Sequence, residues 1–263
     1  MRPLKATINH QALLRNLDHI KTIANKSKVM SVLKANAYGH SLLDVAKTLN
    51  ASDGFAVLSI NEAMQLRENN FKQTILLLEG FFDKDEVNIA SELRINVTVH
   101  NQKQIELINQ VKPIFPINIH LKINTGMNRL GFMPDEINYL LESLNSNPYI
   151  GDIILMTHFS TADEEEGIEK QLGIFNLISE NYNYPASVAN SAAIIRYPES
   201  RLDWVRPGIM LYGLSPFEDK TAKDLELIPA MSLTSEIIAT QNIKAGDSVG
   251  YGLDFKANKN MRI

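Results

Sequence analysis

Val29-Met30-Ser31-Val32-Leu33-Lys34-Ala35-Asn36-Ala37-Tyr38-Gly39-His40 sets an apolar run against a single charged amine, and a helical pattern begins just beyond it. The run reads as a buried strand over 29–34 that ends abruptly at Lys34. A charged amine at the mouth of a buried strand invites chemistry, although a lysine on its own is most often a solvated loop residue. Outward from this stretch the hydrophobic period keeps switching between short apolar runs and helix-spaced patterns. Leu13, Leu17 and Ile20 share one helix face before it; Ile137, Leu140, Leu141 and Leu144 form a later stripe, and Ile168, Leu172, Phe175 and Ile178 another. Further strands are predicted over 54–59, 74–79, 95–99, 117–123, 151–157, 186–189 and 205–211, eight with the first. Eight alternating β/α units predict an α/β fold of the TIM-type (β/α)8 barrel, whose chemistry gathers at the C-terminal ends of its strands. A doubly wound open sheet is the alternative. No G-x-G-x-x-G turn follows the first strand, so a dinucleotide site has no support. From about Pro229 the rhythm breaks, and Ala230 to Thr240 followed by Lys244 to Val249 reads as strand, turn, strand. The expected domains are a barrel over 1–229 and the incomplete beginning of a second, β-rich domain over 230–263.

Composition narrows the function classes. The 263 residues are 44% hydrophobic and 21% charged with a formal net charge of −4, which suits an enzyme of one large domain, or one domain plus part of another. Lysines and arginines are scattered among acids, so there is no electrostatic footprint for nucleic acid. The start has no long apolar leader and no segment approaches a membrane span, so a cytoplasmic protein with no membrane partner is expected. There is no cysteine, which removes disulfide and thiolate chemistry, and six scattered histidines make a metal site unexpected.

If the barrel is right, functional groups belong at the strand ends, and they gather there. The first predicted strand ends at Lys34; the fifth runs through Lys122 into Asn124-Thr125-Gly126-Met127-Asn128-Arg129-Leu130-Gly131-Phe132. The sixth ends at Thr157-His158-Phe159-Ser160, the seventh at Asn190-Ser191 and the eighth at Arg206-Pro207-Gly208-Ile209. Barrels often bind phosphate with the loops after strands seven and eight, through exposed backbone N–H groups, and Ser191 with Gly208 and Ile209 suits that role. Each residue also has an ordinary structural reading. His158 fits a hydrogen-bonded core histidine, Asn190 a helix N-cap, Arg206 a salt-bridged loop residue, Asp163 to Glu166 a solvated helix start, and Tyr251 a strand or turn tyrosine. Coincidence at several strand ends is harder to dismiss than any one of them.

Several separated motifs give the chain a resemblance, along essentially its whole length, to the alanine racemase family. They are the Lys34 segment, Leu121 to Phe132, Thr157-His158-Phe159-Ser160-Thr161-Ala162-Asp163, Ala189-Asn190-Ser191-Ala192-Ala193, Val205-Arg206-Pro207-Gly208-Ile209-Met210-Leu211-Tyr212-Gly213, and Val249-Gly250-Tyr251-Gly252. Two positions depart from the family pattern: Asn124 stands where aspartate is usual, and Asn128 where glycine is usual.

The resemblance implies an isomerase that interconverts L- and D-alanine with pyridoxal 5'-phosphate (PLP), supplying D-alanine for peptidoglycan. It implies that Lys34 carries PLP as a Schiff base, that Tyr38, Asn190, Ser191, Gly208 and Ile209 surround the cofactor and its phosphate, and that Arg206 faces the pyridine nitrogen. Arg129 is expected near the cofactor's phenolic oxygen and the substrate, with Lys122, carbamylated in parts of the family, close by. A guanidinium holds its protons firmly, so the ring nitrogen stays unprotonated and the electron sink moderate. Racemisation needs two acid/base groups on opposite faces; the resemblance assigns Lys34 to the D-alanine face and Tyr251, tuned by Arg206 through His158, to the L-alanine face. Tyr251 is expected to reach the site of the other subunit of a head-to-tail homodimer. Relatives continue well beyond the position of Ile263, so a fragment with weakened cofactor binding is expected. Serine remains an alternative substrate, because a pocket rejects an added hydroxyl poorly. Two other classes stay open: a non-catalytic PLP-binding or homeostasis barrel, and a Schiff-base lysine barrel enzyme without PLP.

Overall fold

The computed structural model describes residues 3–263 and divides the chain into two compact units, Ile8–Ala230 and Met231–Ile263 together with the chain start up to Thr7. The N-terminal strand β1 (Lys5–Ile8) pairs with β10 (Met231–Thr234), so the start of the chain, placed with the barrel by the sequence reading, joins the second unit instead.

In the larger unit eight parallel strands close on themselves in chain order: β2 (Lys28–Val32), β3 (Gly54–Val57), β4 (Thr74–Leu77), β5 (Asn96–Val99), β6 (Ile117–Lys122), β7 (Ile150–Met156), β8 (Ala186–Ser187) and β9 (Trp204–Val205). The period-2 alternation of each strand divides its side chains between two cores. Met30, Val32, Ala56, Leu76, Ile154 and Trp204 fill the barrel interior, whereas Val29, Leu33, Phe55, Val57, Ile75 and Leu77 pack outward against the helices. Every predicted stripe finds its place in that outer layer: Leu13, Leu17 and Ile20 on the helix His10–Ile23, Ile137 to Leu144 on the helix Ile137–Asn145, and Leu172, Phe175 and Ile178 on the helix Glu169–Ser179. Each buried leucine or isoleucine stabilises the barrel by about 1.5–3 kcal/mol through the water it sheds. Helix starts are fixed by side-chain caps. Asn9, Ser59, Asp83, Asn101 and Asn190 each accept an N–H from the third residue on, satisfying donors that the first turn leaves open.

Two local expectations change. The eighth strand, predicted over 205–211, pairs only at Trp204–Val205, and Ile209–Tyr212 forms a 3-10 turn. Pro207 has no N–H to give to a ladder, and Gly208 turns the chain with φ −117° and ψ −95°. At the other change, Lys34 is followed not by a right-handed helix but by a left-handed turn: Ala35, Asn36, Ala37 and Tyr38 all have φ of 53–54°. The next right-handed helix is Leu42–Thr48. Asparagine tolerates this region, but Ala35, Ala37 and Tyr38 cost on the order of 3–6 kcal/mol together, and the surroundings hold them there. Glu62 accepts the Asn36 N–H at 2.9 Å, the Asn36 side chain accepts the Leu42 N–H at 2.8 Å, and the Tyr212 ring lies 4.7 Å from those of both Tyr38 and His40.

The smaller unit holds short antiparallel pairs: β11 (Asn242–Ile243) with β14 (Met261–Arg262), and β12 (Ser248–Val249) with β13 (Phe255–Lys256). Tyr251–Leu253 forms the turn between β12 and β13. Its apolar residues Leu233, Ile237, Ile238 and Phe255 are exposed.

Candidate active site

The C-terminal ends of the barrel strands open into a cavity of about 590 Å³. Lys34, Tyr38, Lys122, Arg129, His158, Asn190, Ser191, Arg206, Gly208 and Ile209, drawn from separated strand ends, all line it. Of the residues singled out in the sequence for catalysis or binding, Tyr251 is the exception: it lies in the smaller unit with its side chain fully exposed. A second cavity of about 480 Å³ at the opposite mouth, lined by Lys28, Thr74, Asn96, Asn118, Asp152 and Trp204 among others, gathers no comparable charge.

Charge defines the site. Lys34, Lys122, Arg129 and Arg206 supply four cations to the lining, against the carboxylates of Glu79 and Asp163. Among the described residues no carboxylate lies within 4.0 Å of any of these four cations, so their charge is available to an anionic ligand.

Arg206 anchors the floor. It is buried and forks to the Ser187 hydroxyl at 2.7 Å, the Thr157 carbonyl at 2.7 Å and the Val188 carbonyl at 3.3 Å, while one NH2 group reaches His158 Nδ1 at 3.4 Å. Burial lowers its pKa to about 10, which leaves it charged at neutral pH. His158 is pushed down to about 3, first by burial and then by Arg206, Lys122 and Arg129, so the imidazole is neutral. With Nδ1 facing a guanidinium donor, geometry assigns the proton to Nε2. Lys122 is lowered to about 8, mainly by burial and then by Arg206 and Arg129, so a fraction of about one in ten is a neutral, nucleophilic amine at pH 7.

Part of the cavity is lined by Tyr38, Ser191, Gly208 and Ile209. A Cβ on Gly208 would stand 2.8 Å from the Tyr38 hydroxyl, so glycine is what allows the tyrosine to close over the backbone there. The Gly208 N–H, expected to face an anion directly, donates instead to Ser191 Oγ at 2.9 Å. That bond orients the hydroxyl and leaves its proton free to donate into the cavity. Asn190 combines both of its readings, capping the helix Ser191–Arg196 through Ala193 N–H while lining the site. This donor set and the four uncompensated cations fit a phosphorylated, carboxylate-binding cofactor site built round an amine.

Arg129 sits on a loop closed at its base by Asn124 N–H to the Phe132 carbonyl (2.8 Å) and Phe132 N–H to the Lys122 carbonyl (2.9 Å). Asn124 Oδ1 accepts the N–H groups of Gly126 and Asn128, and its amide donates to Asn128 Oδ1 at 3.1 Å. The two residues that depart from the family pattern therefore bond to each other, and asparagine tolerates the φ of 55° that Asn128 adopts.

Sequence reasoning overlooked Glu79 and His100, which follow strands β4 and β5 and line the same cavity; the strand-end rule applied to those two strands finds both. It also overlooked Gln171, a buried amide on the inner face of the helix Glu169–Ser179. Its signal is a glutamine three residues after Ile168 and four before Phe175, inside an apolar stripe.

Fold and site together define a class: a (β/α)8-barrel enzyme with a lysine and a cationic pocket at its C-terminal mouth. The sequence profile of the alanine racemase N-terminal domain matches residues 8–216. The alanine racemase of Nitrosospira multiformis is 48% identical over 265 residues, covering 100% of this chain and 74% of the relative, and that of Nitrosomonas eutropha is 46% identical over 268 residues with the same coverage. Among solved structures, the alanine racemase from Acinetobacter baumannii superposes with a TM-score of 0.94 at 43% identity, covering 100% of this chain and 74% of its own. The biosynthetic enzyme from Pseudomonas aeruginosa gives 0.94 at 38%. The chain belongs to the alanine racemase family.

Proposed function

We propose that this chain forms the barrel and part of the second domain of a PLP-dependent alanine racemase that interconverts L- and D-alanine. The observation that carries the proposal is the set of four cations without carboxylate partners, Lys34 and three others, that line the C-terminal mouth. Tyr38, Ser191 and Ile209 would hold the phosphate, with Gly208 orienting the Ser191 hydroxyl and Asn190 beside the cofactor, and Arg206 would meet the ring nitrogen. When bound, PLP supplies an electron sink for the substrate α-carbon. Arg206, fixed by Ser187, Thr157 and Val188, keeps its own proton and so orients the ring without protonating it. Arg129 is placed to meet an anionic oxygen of cofactor or substrate. Conversion of the buried Lys122 amine to a carbamate would turn a repelling charge beside Arg129 into an attracting one, and its lowered pKa favours that chemistry. A 13C carbamate signal from protein equilibrated with labelled bicarbonate, absent in Lys122→Ala, tests it.

Proton transfer on the D-alanine face falls to the Lys34 amine, and on the L-alanine face to Tyr251 of the partner subunit in a homodimer. The exposure of Tyr251 is compatible with that assignment. Such an enzyme would work in the cytoplasm, supplying D-alanine to cell-wall synthesis; among the described residues no helix is long and apolar enough to cross a membrane. The experiment is α-proton exchange in deuterated buffer with PLP, starting separately from L- and D-alanine. Label uptake with inversion from both antipodes, lost in Lys34→Ala and, on one face, in Tyr251→Phe, is the expected result. Exchange without inversion would overturn the two-base assignment.

A further inference from the structure

The loop carrying Arg129 and the strand end carrying His158 come from different β/α units, yet one buried side chain touches both. Gln171 Nε2 donates to Thr125 Oγ1 at 3.3 Å, on the Arg129 loop, and to the His158 carbonyl at 3.3 Å. Its Oε1 accepts from the Ser160 N–H and from the Ser160 hydroxyl, each at 2.9 Å. Both amide donors and both acceptor positions are thus used, so the side chain has no spare hydrogen-bonding capacity and one well-defined orientation. The Gln171 side chain also packs beneath Gly126, at the turn of the same loop: a Cβ built there would stand 3.6 Å from Gln171 Cγ. Thr125 completes the connection by a 2.8 Å hydroxyl contact with Thr157, whose own hydroxyl donates back to the Ile123 carbonyl.

We propose that Gln171 is a positioning residue that locks the Arg129 loop to the Thr157–Ser160 strand end and so fixes Arg129 relative to His158 and Arg206. The helix Glu169–Ser179 that carries it is held by Leu172, Phe175 and Ile178 in the outer core, so the amide is presented from a rigid base. The apolar residues around it supply the packing that a stable helix needs. What the glutamine adds is a connection between the two strand ends past their last backbone bond, which runs from the Ile123 N–H to the Met156 carbonyl. Thr125 also meets Thr157 directly, and what the amide adds is the tie that runs from the loop on to the His158 carbonyl and to Ser160.

The test uses the holoenzyme for kinetics and the cofactor-free protein for exchange, so that only the kinetic arm rests on the racemase reading. Gln171→Met keeps length and packing and removes all four hydrogen bonds; Thr125→Val removes the loop end of that link together with the Thr125–Thr157 hydroxyl contact. In the cofactor-free protein, Gln171→Met is expected to raise amide hydrogen exchange at Gly126, Asn128 and Arg129 about tenfold, with the Glu169–Ser179 helix unchanged. In the holoenzyme, kcat for alanine falls about tenfold in each variant with KM within threefold, and the double variant falls by less than the product of the two single losses, because both changes break the same Gln171–Thr125 bond. Unchanged loop exchange would overturn the proposal, as would exchange rising equally through the helix, or kinetic losses that multiply in the double variant. If the wild type does not racemise alanine, the functional reading fails while the exchange result still decides the role of Gln171.

Discussion

His120 lies inside the barrel with no exposed surface, and neither ring nitrogen has a hydrogen-bond partner among the described residues. Burial, with Arg206 adding to it, lowers its pKa to about 3, so it folds as a neutral ring. In the unfolded chain the same imidazole titrates near ~6.5. Between those values the unfolded state binds a proton that the folded state refuses, so stability rises with pH through this window and is lost as acid is added. At pH 5 the unfolded group is mostly protonated while the folded one is not, a span of about 1.5 pH units, worth roughly 2 kcal/mol at ~1.4 kcal/mol per unit. The figure does not depend on the depressed value itself, provided it lies well below 5. His120→Leu has a similar volume and does not titrate. Urea unfolding of cofactor-free protein, followed by the fluorescence of the single tryptophan, Trp204, should place the variant within about 1 kcal/mol of wild type at pH 7. At pH 5 the variant should gain about 2 kcal/mol relative to wild type. His158 titrates in both proteins and cancels. A wild-type-to-variant gap that is the same at both pH values would refute the reasoning, since it would mean that His120 keeps its proton affinity on folding.

Other substitutions probe the scaffold of the site. Arg206→Lys replaces a fork that serves three buried acceptors with a point charge, so thermal unfolding should show a loss of about 2–4 kcal/mol, and an unchanged midpoint would mean that the fork is not needed. Asn16→Leu leaves the Leu211 and Ile228 carbonyls and the Ile228 N–H without the side chain that pairs them, which predicts about 3 kcal/mol or more of destabilisation in urea. Gly131→Ala places a Cβ 2.8 Å from Asn124 N at a φ of 122°, so it should cost about 1–3 kcal/mol and make the Arg129 loop the first site of limited proteolysis; cleavage elsewhere first would show that the loop base tolerates it.

Much of the active mouth was legible because a barrel converts strand order into spatial neighbourhood. Once eight β/α units were read, Lys34, Lys122, His158, Asn190 and Arg206 had to share one end, whatever their separation in sequence. Period and apolarity are local properties, so the stripes from Leu13 to Ile178 announced the outer core without any knowledge of partners. The left-handed turn after Lys34 was not legible, because Ala35 and Ala37 favour right-handed backbone by themselves, and contacts with remote residues such as Glu62 and Tyr212 help hold them otherwise.

What the sequence determined by itself was the rhythm of strands and helices, the charge types delivered to each strand end, and the motifs that tie the chain to its family. Only the tertiary structure decided which of those groups lack counter-charges, that His158 and His120 are neutral, that the Gly208 N–H turns to Ser191, and that Gln171 joins two loops 46 and 13 residues away. The physical reason is that pattern follows from each residue's own size and polarity, whereas a pKa or a shared hydrogen bond depends on distance and burial, which exist only once remote parts of the chain are packed together.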